Sequence, residues 1–301
     1  MSVAQALAAE RQRLVRIAYR MLGSFADAED VVADVALESL SVDPEPTNPA
    51  GWLTTITVRR SLDLLRRRKR ERQNYPGTWL PEPELIDQQP SAAQLVDREA
   101  ELSIGFLRLA ETLTPPQRAV IILRSFGYQH EEIATMLEIS AVSSRQYEHR
   151  ARRRLGAPAG RTPDRPADHD QTADRDHGLR DRSAATVREL LTGFLAAARD
   201  GDTEKLIKLL HAEVVYYSDG GGRVKAARKP VVGPAKIAQF ATRISRRNPT
   251  PTPYWILVNG RTGVLIELGG TRHVITADVE DGMIKSLYDI SNPDKLAPVG
   301  V

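Results

Sequence analysis

The hydrophobic period of this chain changes once, and that change sets its architecture. Up to Leu155 apolar residues recur at helical spacing. Leu14, Ile17, Ala18, Met21 and Leu22 form one stripe, and Val31, Val32, Val35 and Leu40 continue in kind. Asn48 and Pro49 open a further helix as N-cap and first helical residue, with Trp52, Leu53, Ile56, Leu62 and Leu65 on its apolar side. Beyond Ser183 the spacing predicts helices over about 184–199, 202–211 and 234–246, and then alternation of period two. The dipeptides Asn259-Gly260, Gly269-Gly270 and Asp281-Gly282 suit tight hairpin turns and separate strands at 254–258, 264–268, 272–279 and 283–290. Helices followed by an antiparallel meander imply an α+β layer with the sheet curled over the helices.

Two stretches interrupt the helical half. Residues 73–90 carry Pro76, Pro81, Pro83 and Pro90 and cannot hold a regular helix. Residues 156–183 mix Pro158, Pro163 and Pro166 with alternating Asp and Arg and almost no large apolar side chain, which reads as a flexible linker. A chain of 301 residues split this way suits two domains. The absence of cysteine excludes disulfides, thiolate-held metals and thiol catalysis. No apolar run approaches the roughly 20 residues of a membrane span, and the N-terminus has no secretory pattern. The expectation is a soluble cytoplasmic protein with no membrane partner, metal or cofactor.

Two clusters point to nucleic acid. Between Thr57 and Arg72 eight basic residues stand against two acidic ones, leaving +6 on one helix. Such a helix becomes favourable beside a polyanion, where phosphate contacts release counterions. Further on, Thr114 caps a helix opened by Pro115-Pro116. Helices at 130–137 and 141–155 then flank the turn Glu138-Ile139-Ser140. This pattern suits a helix-turn-helix, whose second helix offers Ser143, Ser144, Arg145, Gln146, His149, Arg150 and Arg153 to a major groove and its phosphates.

The order of these parts carries a resemblance. AYRMLGSFADAEDVVADVALESL followed by GWLTTITVRRSLDLLRRRKRER resembles domain 2 of the extracytoplasmic-function sigma factors. LTPPQRAVIILRSFGYQHEEIATMLEISAVSSRQYEHRARRRL resembles their domain 4. The resemblance implies a protein that joins core RNA polymerase at its clamp and flap and directs it to promoter DNA. Asp27, Glu29, Asp30 and Asp34 would meet polymerase. Trp52, Arg59, Arg60, Arg66 and Arg67 would serve the −10 element, Trp52 also lying on the apolar stripe. The 143–153 set would serve the −35 element. Two positions depart from the family pattern: Gln129 replaces the usual hydroxyl cap, and Glu138 replaces the turn glycine, at a cost of about 1 kcal/mol.

The C-terminal helices and meander resemble a SnoaL-like cone, and three motifs resemble the sigma subfamily that carries one. These are YPGTWLPEP with Trp79, Leu80 and Pro81, then DGGGR, which is Asp219, Gly220, Gly221, Gly222 and Arg223, and finally NPDKL, which is Asn292, Pro293, Asp294, Lys295 and Leu296. The implied division is 1–72 sigma domain 2, 73–97 linker, 98–155 sigma domain 4, 156–183 flexible linker and 184–301 a SnoaL-like domain. That last domain would regulate in place of a separate anti-sigma protein. Two other readings stay open: a ligand-responsive helix-turn-helix regulator, and a cyclase or isomerase fused to a DNA-binding module. Asp219, His211, His273 and Asp278 are candidate bases, and Tyr216, Tyr217 and Tyr254 candidate donors, but spacing selects no pair. A residual cavity would suit a small apolar effector better than turnover.

Overall fold

The computed structural model describes residues 2–44, 46–87, 103–155, 173–248 and 252–296. Two compact units result, one from residues 1–74 and 106–161, the other from 75–105 and 162–301.

The first unit is helical. Helix α1 (Val3–Leu22) starts at a Ser2–Gln5 capping box and stops at Gly23, whose φ is 72°. Helix α2 (Phe25–Ser39) is capped by Ser24. Helix α3 (Pro49–Gln73) begins where Asn48 Oδ1 accepts the Gly51 N–H at 3.1 Å. Val3, Leu14, Val32, Val35 and Leu53 form the core of this trio, with Trp52 packed on its edge. After the proline-rich break come α4 (Ile104–Ala110), α5 (Pro115–Ser125), α6 (His130–Leu137) and α7 (Ala141–Arg154). Glu138 takes the left-handed conformation that the turn demands, at φ 55° and ψ 45°. Without a hydroxyl cap, α6 is closed by the Gln129 N–H donating to Glu132 Oε2 at 2.7 Å.

The second unit holds α8 (Ala173–Asp200), α9 (Thr203–Leu209), α10 (Pro234–Ser245) and a seven-stranded sheet. Its strands are β1 (Leu85–Asp87), β2 (Leu210–Asp219), β3 (Val231–Val232), β4 (Tyr254–Val258), β5 (Arg261–Leu268), β6 (Thr271–Glu280) and β7 (Met283–Ile290), followed by a short α11 (Pro293–Leu296). Their order is β1-β4-β5-β6-β7-β2-β3. Asn259, Gly260, Gly269, Gly270, Asp281 and Gly282 all have positive φ, so the three hairpins form where their dipeptides place them. Side chains alternate across the strands. Phe194, Leu206, Tyr216, Ile237, Ile266 and Leu287 make an inner core under the helices. Leu80, Ile104, Ile256, Val274, Ile290 and Leu296 make a second core on the outer face.

Four features depart from the sequence reading. The sheet is mixed, because β2 runs parallel to β7; a strand entered from α9 and left through the β3 and α10 connection is free to align that way. Helix α8 starts at Ala173, inside the stretch read as flexible linker; residues 156–172 lie outside those described. Helix α9 ends at Leu209, and His211 stands in β2, whose inner residues join the sheet core. The segment read as an inter-domain linker belongs with the C-terminal unit: Leu85 to Asp87 pair with Val258 to Ile256, and Leu80 fills the outer core. Residues 88–97 of that segment lie outside those described.

Candidate nucleic-acid interface and regulatory clamp

Helix α7 carries an exposed stripe of Val142, Arg145, Gln146, His149, Arg150 and Arg153, at offsets of 0, 3, 4, 7, 8 and 11. Arg145 pairs loosely with Glu131 at 3.1 Å. Ser144 is turned inward, fully buried, with its Oγ 2.9 Å from His130 Nδ1, and so does not face a groove. Ser143 is half-buried at 2.9 Å from Ser140 Oγ. Beneath the stripe, Glu148 is buried among Arg152 at 2.6 Å, His130 Nε2 at 3.1 Å and Arg124 at 3.6 Å. Burial holds the His130 imidazole below its ordinary range despite that carboxylate.

In the first unit the two helical regions touch. Arg59 Nε donates to the Met136 carbonyl at 3.0 Å and its Nη2 lies 2.9 Å from Glu138. Arg13 donates to the Tyr128 hydroxyl, and Arg20 lies over the Phe126 ring with its guanidinium carbon 4.6 Å from the ring centre. On α3, Arg60 pairs with Glu38 at 2.8 Å, Arg66 with Asp63 at 2.9 Å, and Arg67 is exposed. On α2, Glu29, Asp30 and Asp34 are exposed beside Leu37 and Leu40, which are 67% and 81% accessible. Asp27 is not a surface group: it is buried and paired with Arg68.

The second unit brings the three short motifs together around one carboxylate. Asp219 is 1% accessible. Its Oδ1 accepts the Tyr75 hydroxyl at 2.7 Å and the Gly221 N–H at 3.0 Å. Its Oδ2 accepts the Leu80 N–H at 2.8 Å and the Lys295 ammonium at 2.7 Å. The Asp219 carbonyl accepts the Ser291 and Asn292 amides at 2.8 and 2.9 Å, and Asn292 Nδ2 donates to the Tyr75 oxygen at 3.1 Å. Lys295 also donates to the Leu80 carbonyl and sits over the Trp79 ring, 4.3 Å from its centre. Burial, and then the bond to Asp219, push the Tyr75 phenol well above its ordinary range, so it stays a donor. Gly221 has φ 62°, and a Cβ there would fall on the Asn292 amide. Gly222 faces Pro76, and Pro81 is buried beside Leu80. Arg223 and Asp294 form an exposed pair at 2.9 Å.

Family models for Sigma-70 region 2 and Sigma-70, region 4 match residues 7–71 and 104–155. The ECF RNA polymerase sigma factor SigJ of Mycobacterium tuberculosis is 33% identical over 95% of this chain and 90% of its own length. The chain belongs to the ECF RNA polymerase sigma factors. A probable sigma factor of the same organism, SigI, is 26% identical over 99% of this chain and 96% of its own. The crystal structure of Mycobacterium tuberculosis SigJ superposes with a TM-score of 0.73 at 28% identity, over 98% of both chains. The present sigma factor therefore has core RNA polymerase and promoter DNA as its partners in transcription initiation, and it carries a C-terminal unit of helices on one sheet.

Placed on that frame, α1–α3 are region 2 and α4–α7 region 4. Trp52 is half-buried on the region 2 core, and Arg59 is taken up by region 4. The candidate bases fall in separate places. Asp219 is in the clamp, and Asp278 accepts the Tyr288 hydroxyl at 2.8 Å on the outer face. His211 lies among Lys285, Glu213 and Glu280. Of the candidate donors, Tyr254 is 40% accessible, and Tyr217 stacks on Tyr288 with 5.5 Å between ring centres. His273 and Tyr216 do converge, on Asp289, a residue that the sequence reading passed over. Its only signal was a lone carboxylate in the apolar strand ending SLYDI. Among the described residues no helix is long and apolar enough to cross a membrane, and no cluster of three or more His, Asp or Glu could hold a metal.

Proposed function

We propose that the C-terminal unit keeps this sigma factor closed by gripping the segment between regions 2 and 4, with Asp219 as the latch. The −10 and −35 elements lie about 25 base pairs apart, or about 80 Å at roughly 3.4 Å per base pair. A compact unit of some 130 residues is about 40 Å across. Regions 2 and 4 joined through Arg59–Glu138 and Arg13–Tyr128 therefore cannot occupy both elements at once, and they must part on the promoter. The connecting residues 75–105 would reach about 100 Å if fully extended at about 3.3 Å per residue. Leu80 and Ile104 both lie in the outer core of the same sheet, so the tether is pinned at both ends. Release of the tether is the step that the latch controls.

The observation that carries this reading is the buried Asp219 carboxylate, which joins Tyr75 and Leu80 of the tether to Lys295 of the C-terminal motif. On this reading Glu29, Asp30 and Asp34, with Leu37 and Leu40, form the polymerase-facing stripe. Arg66 and Arg67 serve the −10 strand, and Arg145, Gln146, His149, Arg150 and Arg153 serve the −35 element and its phosphates. The protein acts in the cytoplasm, where these partners are. The test is transcription in vitro with core polymerase on a library of promoter templates, comparing the full chain with Asp219→Ala. Several-fold higher promoter-specific output from the variant is expected. Unchanged or lower output, with the variant still folded by thermal melting, sinks the latch.

A further inference from the structure

A cavity of about 250 Å³ lies on the inner face of the C-terminal sheet, between α8 and α10. It plays no part in the latch. Its walls are apolar and rich in rings, with Phe194, Phe240, Trp255 and Ile266 among them. Thr192, Arg199 and Pro253 are exposed and mark its mouth. Its floor is a connected polar group. Tyr216 OH donates to Asp289 Oδ2 at 2.5 Å, and His273 Nδ1 lies 2.9 Å from Asp289 Oδ1. Burial and the charge of Asp289 keep Tyr216 protonated. Each carboxylate oxygen thus takes one bond from within the chain, and Nδ1 is the donor to the second. The carboxylate can only accept, whereas His273 Nε2, with no partner among the described residues, accepts when the ring is neutral and donates when it is protonated. His273 itself is a lining residue.

We propose that this cavity binds a flat, uncharged aromatic molecule of about two fused rings carrying one hydroxyl, with that oxygen on His273 Nε2. Size sets the first part: an apolar cavity of about 150 Å³ takes benzene, so about 250 Å³ takes a second ring. Ring walls favour a ring ligand by offset or edge-on contact. Charge sets the second part. Asp289 is a buried negative charge paired with His273, so a carboxylate seated on this floor meets like charge whenever His273 is neutral. A ketone finds a donor only when His273 is protonated. A phenolic hydroxyl satisfies either form, donating to a neutral Nε2 or accepting from Nε2–H. With Tyr216 committed to Asp289, the floor offers no second donor for an oxyanion, which favours binding over turnover.

The position gives such a ligand a route to the latch, and this part rests on the latch reading. Tyr216 and Asp219 lie on β2; Asp289 lies on β7, which leads into Ser291 and Asn292. In the parallel register Ser218 pairs with Asp289 and Asp219 with Ile290. A hydroxyl seated on the Asp289–His273 pair is therefore one residue along β7 from the strand end that carries the Asp219 bonds.

Binding is tested apart from transcription, on the full chain, by titrating 2-naphthol against tryptophan fluorescence and by calorimetry. Naphthalene serves as the probe lacking the hydroxyl. Saturable one-to-one binding of 2-naphthol is expected, about tenfold tighter than naphthalene, since one well-made hydrogen bond is worth about that factor. His273→Ala should erase the tenfold preference while keeping naphthalene binding. Ala241→Phe, which fills the cavity from α10, should abolish both, with melting curves confirming the fold. Equal affinity for the two probes overturns the anchor, and no binding of either at millimolar concentration overturns the site. Binding that leaves transcription unchanged, while Asp219→Ala raises it, keeps both the site and the latch and removes only the link between them.

Discussion

The C-terminal sheet holds one buried carboxylate on each face, and the two are satisfied in opposite ways. On the outer face Asp219 takes four hydrogen bonds, and three of its partners, Leu80 N–H, Gly221 N–H and Lys295, can only donate. On the inner face Asp289 takes two, from Tyr216 and His273, and both can exchange donor and acceptor roles. The first arrangement fixes one geometry and holds a segment from far away in the chain. The second is adaptable and lines a cavity. The difference teaches that a buried charge can close a structure or prepare it for a ligand, according to whether its partners have a second role to play.

Replacing each carboxylate by its amide isostere separates the two most sharply. In Asp219→Asn, whichever oxygen becomes the amide nitrogen faces a backbone N–H, and the Lys295 ammonium loses its counter-charge while 12% accessible. The C-terminal unit should lose about 3–5 kcal/mol, the cost of breaking a buried pair. Read by urea unfolding followed through tryptophan emission, this is the largest effect expected. In Asp289→Asn, the His273 ring can change tautomer and accept the new N–H, and the Tyr216 hydroxyl still has an acceptor. That loss should be about 1 kcal/mol. Equal losses at the two sites would break the comparison.

Between those two falls Gly221→Ala. It places a side chain at a left-handed φ, at about 1 kcal/mol, and pushes on the Asn292 amide that reaches Tyr75. A loss of about 2 kcal/mol is expected. It should be accompanied by faster hydrogen exchange at the Leu80 amide, while the Tyr216 and His273 neighbourhood stays protected. Equal exchange on both faces would mean that the latch and the cavity floor are one mechanical unit.

Much of this was legible in sequence where local chemistry dominates. Six turn residues of positive φ fixed three hairpins, and a left-handed Glu138 was foreseeable from its place in the helix-turn-helix. Ser143 and Ser144 mark the limit, because both are small hydroxyls at the start of α7 and only the phase of the helix against α6 turns one of them onto His130. Asp27 shows the same limit, its partner Arg68 lying 41 residues away. The parallel β2–β7 pairing and the union of residues 75–87 with the C-terminal sheet are non-local, and no turn signal announces them. The resemblance grouped Trp79, Asp219 and Lys295 by motif. The chemistry of that grouping, one carboxylate shared by donors, came only from the structure.

The smallest expected effect concerns pH and the inner face alone. Burial lowers the His273 imidazole, but the charge of Asp289 and the bond to it more than offset this, so its folded value lies above the ordinary one. A group raised on folding stabilises fully below its unfolded value, about 6.5, and that stabilisation fades as pH rises through the folded value. The urea midpoint of the C-terminal transition should therefore decline between about pH 6 and 8 in the native protein. In Asp289→Asn the charge that raises His273 is gone while its burial remains, so the decline should vanish or reverse. Asp219→Asn should lower the midpoint at every pH and leave the slope as it was, because Asp219 bonds to Tyr75 and Lys295 and is not among the groups that raise His273. Parallel slopes in the native protein and Asp289→Asn would show that His273 does not hold its proton against Asp289. The cavity floor would then be as rigidly assigned as the latch, and the contrast between the two faces would be lost.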